Sequence, residues 1–390
     1  TAQASSAVVS SVINQAGVIQ ARRLESQGGE IVLRGGDEGT VMVAGTLDAT
    51  GGSAGAAGGR GWAMGGRIDV RGAQVGLTAT AKLDASGDAG GGTILVGGGF
   101  QGHDGGPNAQ QTVVWPGATL TADARVQGPG GTLVVWADGS TQYGGIASAR
   151  GGALGGDGGS AEVSGKESLF FQGTVDLRSP LGQTGHLLLD PKFILIQAGG
   201  PDPATGQTFG NNPGGSATIS GTTLGTALNT TFVTLQANSD ITVDDNVTQT
   251  GLAFGLQLQA GRSIIFNANR VVTLNGGNFD ATINHGAAVA VQRDPGVAQF
   301  VMNSGAQILT NGGKAAVDVG AFGGANVGEV RIGNGTGPAT ISTGGGSIFL
   351  NGRGGAGGSG ADGIRVDSGS LLQTTSGDVS LFGNGGAGTD

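Results

Sequence analysis

One short phrase recurs along this chain: a glycine, a variable residue, then two apolar residues separated by one position. It reads Gly29-Glu30-Ile31-Val32-Leu33, Gly66-Arg67-Ile68-Asp69-Val70, Gly92-Thr93-Ile94-Leu95-Val96 and Gly131-Thr132-Leu133-Val134-Val135. Gly159-Ser160-Ala161-Glu162-Val163 and Gly185-His186-Leu187-Leu188-Leu189 continue it. From the first apolar position of one to that of the next, the steps are 37, 26, 39, 28 and 26 residues. Irregular steps between regular phrases are what coils of one architecture produce when their loops differ in length. Alternation puts Ile68 and Val70 on one face and Arg67, Asp69 and Arg71 on the other, the pattern of a half-buried strand.

A second phrase falls between these: Leu47-Asp48-Ala49-Thr50-Gly51, Leu83-Asp84-Ala85-Ser86-Gly87, Leu120-Thr121-Ala122-Asp123-Ala124 and Ile146-Ala147-Ser148-Ala149-Arg150. Each unit therefore holds at least two short strands. Such strands cannot bury their own apolar faces, so each unit must stack on its neighbours. Glycine at the strand boundaries supplies corners, because it tolerates positive φ and lets one backbone pass close to another. The expected fold is all-β, a right-handed parallel β-helix (β-solenoid) with glycine-rich turns and loops. The 85 glycines and 4% aromatic content suit a narrow interior of small side chains.

The later part of the chain keeps the logic with other residues. Leu235 and Ile241 return 23 residues on as Leu258 and Ile264, and Ile348 and Leu350 return 31 residues on as Val379 and Leu381. The expected division is solenoid over 1–196, a Pro/Gly-rich loop or linker over 197–217 marked by Pro201, Pro203 and Pro213, and solenoid again over 218–390. A helical turn is expected over 223–228. At about 25 to 30 residues per coil and roughly 4.8 Å per strand, the chain predicts about 13 to 16 coils in a rod on the order of 60 to 75 Å long. Starting at Thr1 without Met, and ending inside a repeat, the chain is expected to continue beyond both ends in nature.

Composition removes several alternatives. No three-residue period supports collagen, and 37% apolar with 12% charged residues is too apolar for disorder. A net charge of −9 with Lys and Arg scattered singly argues against nucleic acid as partner. The chain has no cysteine, hence no disulfide framework and no thiolate zinc site. No run approaches the roughly 18 apolar residues of a spanning helix.

The wording of the first half resembles the filamentous haemagglutinin family of two-partner secretion proteins. The phrases are NQAGVIQA at 14–21, AGTLDATGG at 44–52, LDASGDAGGGTILVGG at 83–98, GGTLVVWADGSTQYGGIASARGG at 130–152, GGDGGSAEVSGKESLFFQG at 155–173 and GHLLLDPKFILI at 185–196. The resemblance covers about 11–196, and 218–390 more loosely. It implies a parallel β-helix secreted through an outer-membrane partner pore of a Gram-negative-type bacterium. Its place would be extracellular or on the cell surface, and its work adhesion, aggregation or matrix attachment.

Chemistry is sparse. His103, His186 and His285 lie in unrelated phrases and read as loop or surface residues. The Asp-Gly pairs at Asp138, Asp157 and Asp362 lack the nine-residue period of calcium-binding repeats and read as turns. Asp48 and Asp84 occupy equivalent places and read as turn residues. The other reading is an acid ladder of a polysaccharide-lyase-like β-helix with Lys82 as the nearest base. The glycine runs at 51–59 and 354–360 lack the Lys-Ser/Thr of a phosphate loop. Trp115, Trp136 and Tyr143, with Trp62, are the rings with polar handles and the candidates for stacking on a glycan. The expectation is thus a secreted structural protein or adhesin, not an enzyme, with no catalytic residue, cofactor or metal. Its partners would be the secretion pore, a host or neighbouring cell surface, glycan or matrix, and copies of itself. The alternatives are a self-assembling extracellular filament subunit and a polysaccharide-binding or lyase-like β-helix.

Overall fold

The structure, a computed structural model, describes residues 2–3, 12–20, 29–52, 62–199, 217–324, 327–355 and 362–386. Its residues divide into two compact units, the first 1–190 with 201–215 and 230–232, the second 191–200, 216–229 and 233–390. Each is a parallel β-helix. Most of the loop expected over 197–217 lies outside the described residues, as do 53–59 and 356–360 of the two glycine runs.

In the first unit, every complete described coil carries three strands, one more than the two phrases announced. The first sheet runs through Glu30–Arg34, Arg67–Arg71, Thr93–Val96, Thr132–Ala137, Ser160–Gly165 and His186–Leu189. Ile31, Ile68, Ile94, Leu133, Ala161 and Leu187 are register partners in succession, as the recurring phrase requires. The second sheet stacks Thr40–Val43, Gln74–Leu77, Gln111–Val114, Ser140–Tyr143 and Ser168–Phe171. The third stacks Thr46–Asp48, Lys82–Asp84, Thr119–Thr121, Ile146–Ser148 and Thr174–Asp176. There the expected equivalence slips by one residue: Leu120 pairs with Ala147, and Ile146 pairs with Thr119. Because faces alternate along a strand, the slip turns Ile146 outward, where it is 52% exposed, and gives Ala147 the interior place.

Glycine opens each first-sheet strand for a steric reason. A Cβ on Gly92, Gly131, Gly159 or Gly185 would overlap the backbone of the coil beneath, at the carbonyl oxygen of Gly66, Gly92, Gly131 and Gly159 in turn. That same carbonyl accepts the N–H of the next residue on the upper coil, as from Thr132 to Gly92 at 2.9 Å. None of these four glycines has positive φ, so close approach and not turn geometry selects them. Interior hydroxyls are satisfied across coils too: Thr112 and Thr141 donate to the carbonyls of Trp136 and Ser164 at 2.7 Å.

The second unit alternates more cleanly. Its first sheet includes Leu256–Ala260, Phe279–Ile283, Ala315–Val319, Ile348–Arg353 and Val379–Asn384, with Leu235, Leu258, Ala281, Val317 and Leu350 pointing inward. Ile241 and Ile264 pair on the second sheet, and Ile348 with Val379 on the first, as the repeats predict. Phe266, Phe279 and Phe300 meet inside the coil, ring centroids 5.8 and 6.1 Å apart. Full burial of each such side chain contributes about 1.5–3 kcal/mol. The expected helical turn is the helix Gly221–Ala227, whose N-cap Ser220 accepts from the Thr223 amide at 3.0 Å.

Candidate functional site

Three crossings from the first sheet to the second show how tight that corner can be. Gly72 and Ala73, Asp138 and Gly139, and Lys166 and Glu167 each make it alone. The coil of Thr93–Val96 instead takes residues 97–110, and this insertion accounts for the longest step in the repeat. It leaves and returns at one point, the Ala109 amide donating to the Gly97 carbonyl at 2.6 Å. In between it lies as a strap over the outward face of the first sheet, burying Leu95, Val134 and Trp136. The indole Nε1–H of Trp136 donates to Asp138 at 3.0 Å, and Asn108 donates to that same carboxylate oxygen and to the Gly102 carbonyl. For this reason Arg67–Arg71 departs from the half-buried pattern: Asp69 and Arg71 face outward yet are buried.

Two ionic anchors of different character hold the strap. At one, the Arg71 guanidinium pairs with Asp104 of the strap and with Asp69, Nε to Oδ1 2.6 Å, and donates to the Pro107 carbonyl. Arg34 and Arg67 each reach Asp69 at 3.1 Å, so this carboxylate is surrounded by cations. Hydrogen bonds from Arg71 hold the Asp104 carboxyl down at about 2, against the opposing pull of burial.

The other anchor has no cation among the described residues. Gln101, at φ 50° and ψ 26°, occupies the left-handed region, uncommon for a side chain other than Gly or Asn. There its backbone N–H donates to Glu162 Oε2 at 2.8 Å and its side-chain amide to Asp190 Oδ2 at 3.3 Å. Glu162 is 1% exposed, and its Oε1 has no hydrogen-bond partner. Burial first, and then the neighbouring Asp190 charge, push its carboxyl up to about 7, against the Gln101 and Ser164 hydrogen bonds. Burial pushes Asp190 up to about 6. This anchor can therefore hold or give up a proton near neutrality.

The expected site residues do not converge. Trp136 lies under the strap, and Tyr143 is wholly interior, stacked on Phe171 at 5.4 Å with its hydroxyl unpartnered, so neither ring is open to a sugar. Trp115 is half-buried at the end of Gln111–Val114, and Trp62 is exposed elsewhere. Asp48 and Asp84 are register partners, as equivalent places demand, and each closes a turn: Asp48 accepts from Thr50, Asp84 from the Ser86 amide. The three histidines remain apart, His103 on the strap, His186 against the Phe232 ring and His285 in the second unit. Among the described residues, no group of three or more His, Cys, Asp or Glu could hold a metal ion. Sequence reading missed Gln101, Glu162 and Asp190. The signal for them was the 39-residue step itself, filled by GGGFQGHDGGPNAQ. Compared with known proteins, the chain matches no family model and no curated protein.

Proposed function

We propose that this chain is a secreted, cell-surface structural protein of the filamentous haemagglutinin type, exported through an outer-membrane partner by a Gram-negative-type bacterium. Its β-helical coils serve as a rigid scaffold that presents adhesive surface to cells, glycan or matrix. The observation that carries this reading is the unbroken parallel register from coil to coil within each unit. A backbone ladder closed by interior Val, Ile, Leu and Phe resists local opening and holds outward side chains at fixed spacing. The outward rows are largely short and polar, such as Thr234 donating to Gln257 and Asn351 to Asp318, a surface suited to many weak contacts.

The test is gain of function. Displayed on a non-adherent bacterium, the chain confers aggregation or binding to immobilised matrix and epithelial cells above an empty-display control. Display confirmed by antibody, with adherence no greater than the control, overturns the proposal. Filaments of the purified protein in negative stain would favour the self-assembling alternative. Release of unsaturated sugars from acidic polysaccharides would favour the lyase-like one.

A further inference from the structure

We propose that residues 97–110 are a proton-controlled strap, closed over Leu95, Val134 and Trp136 while Glu162 is protonated and released when Glu162 and Asp190 are both ionised. The geometry supplies the parts. The strap is an insertion whose foot, Gly97, Ala109 and Gln110, makes the coil-to-coil backbone bonds, and the ladder does not run through the residues between. Its backbone turns at Gly97 (φ 82°), Gly102 (φ 70°) and Gly105 (φ 78°), where rotation is least hindered. Gln101, in the first half of the strap, has a conformation disfavoured for its residue type and is held by the two carboxylates it touches.

The groups facing Glu162 account for its sensitivity. Its register partners Val134 and Leu188 carry no charge. Ser164 on its own strand and Gln101 on the strap are neutral, and Asp190 on the following coil is an acid. His186 turns its ring onto Phe232, Asp104 is held by Arg71, and Asp138 is occupied by Trp136 and Asn108. Lys166 and Glu167 lie exposed beyond the strand end. Ionised Glu162 therefore meets one like charge and no cation among the described residues. Neutral Glu162 avoids the desolvation cost while its carbonyl oxygen still accepts the Gln101 N–H.

The sign follows from linkage. A carboxyl held above its ordinary value stabilises closure fully below that value, and this is lost as pH rises through about 7. Asp104 is the reverse case, stabilising closure above the ordinary carboxylate range and losing it as pH falls through about 2. The strap is thus most firmly closed in mildly acid solution. Its opening constant rises toward neutrality by up to about tenfold per pH unit for each of the two carboxyls, Glu162 and Asp190, and then levels.

A chain carrying Trp62→Phe and Trp115→Phe reports on Trp136 alone. Between about pH 5 and about pH 9, iodide and acrylamide quenching of Trp136 should rise, spanning the range in which such carboxyls titrate. Glu162→Gln should keep Trp136 protected throughout. In the unaltered protein, hydrogen exchange corrected for its chemical pH dependence should show protection of peptides from 97–110 lost over the same interval, with first-sheet strands unchanged. Flat profiles in both measurements, or a Glu162→Gln chain titrating like the parent, overturn the proposal. Exchange rising equally in strap and strands would assign the effect to general unfolding and overturn it too.

Discussion

Gly131 concentrates what the residue scale contributes. Its missing Cβ is where the Gly92 carbonyl passes, and that carbonyl receives the Thr132 amide. Gly131→Ala must push two coils apart or tilt a ladder hydrogen bond, and the expected cost is about 1–3 kcal/mol, the range for overpacking a filled site. Chemical denaturation reads it as a lower midpoint at unchanged slope. A midpoint equal to the parent would show that the coils have slack the ladder conceals. The left-handed corners are legible by residue type in the second unit, where Asn269, Asn284 and Asn311 take them at φ 53–61°. Gln101 carries no such mark, since Gln is not a residue that selects this conformation.

At the scale of the element, a strand's burial depends on what lies across it. Arg67–Arg71 alternates like a surface strand, but Arg71 is 2% exposed because the strap brings Asp104 onto it. Removing Arg71 strips Asp104 of its ion-pair partner and leaves Asp69 with Arg34 and Arg67, so Arg71→Ala is expected to cost about 1.5–3 kcal/mol, the range for hydrogen bonds to charged groups. The loss should be larger than for Arg34→Ala, whose guanidinium is partly exposed. Denaturant titration of both variants checks the ranking, and equal losses would mean that the strap contributes nothing at this anchor. The second-sheet strands of the first unit were the elements that patterning missed. Ser140–Tyr143 and Gln111–Val114 put Thr141 and Thr112 inside, and a hydroxyl bonded to the carbonyl of a neighbouring strand passes for a polar position in the sequence.

For the molecule as a whole, net charge is the property that needs no tertiary argument. At −9 with a sequence pI near 4.7, mutual repulsion keeps copies apart at neutral pH and fades on acidification. Light scattering should rise as pH approaches the pI and fall again on either side. Scattering independent of pH would point to association through uncharged contacts. Cooperativity should follow the coils: each contacts its neighbours, so a destabilised coil weakens those beside it before distant ones.

Patterning settles the stacking of glycine-opened strands, because alternation and close backbone approach are written in residue type and spacing. Leu235 facing Leu258, Ile348 facing Val379 and the helix after Ser220 follow from it. Placement of the insertion at 97–110, the outward turn of Ile146, and the meeting of Gln101 with Glu162 and Asp190 came only with tertiary structure. Gln101 stands 61 residues from Glu162 in the chain. Which coils bring them together depends on the summed length of every intervening loop, and no local pattern records that sum. The shift of a carboxyl toward neutrality belongs to the same class, since it arises from water excluded by a segment distant in sequence.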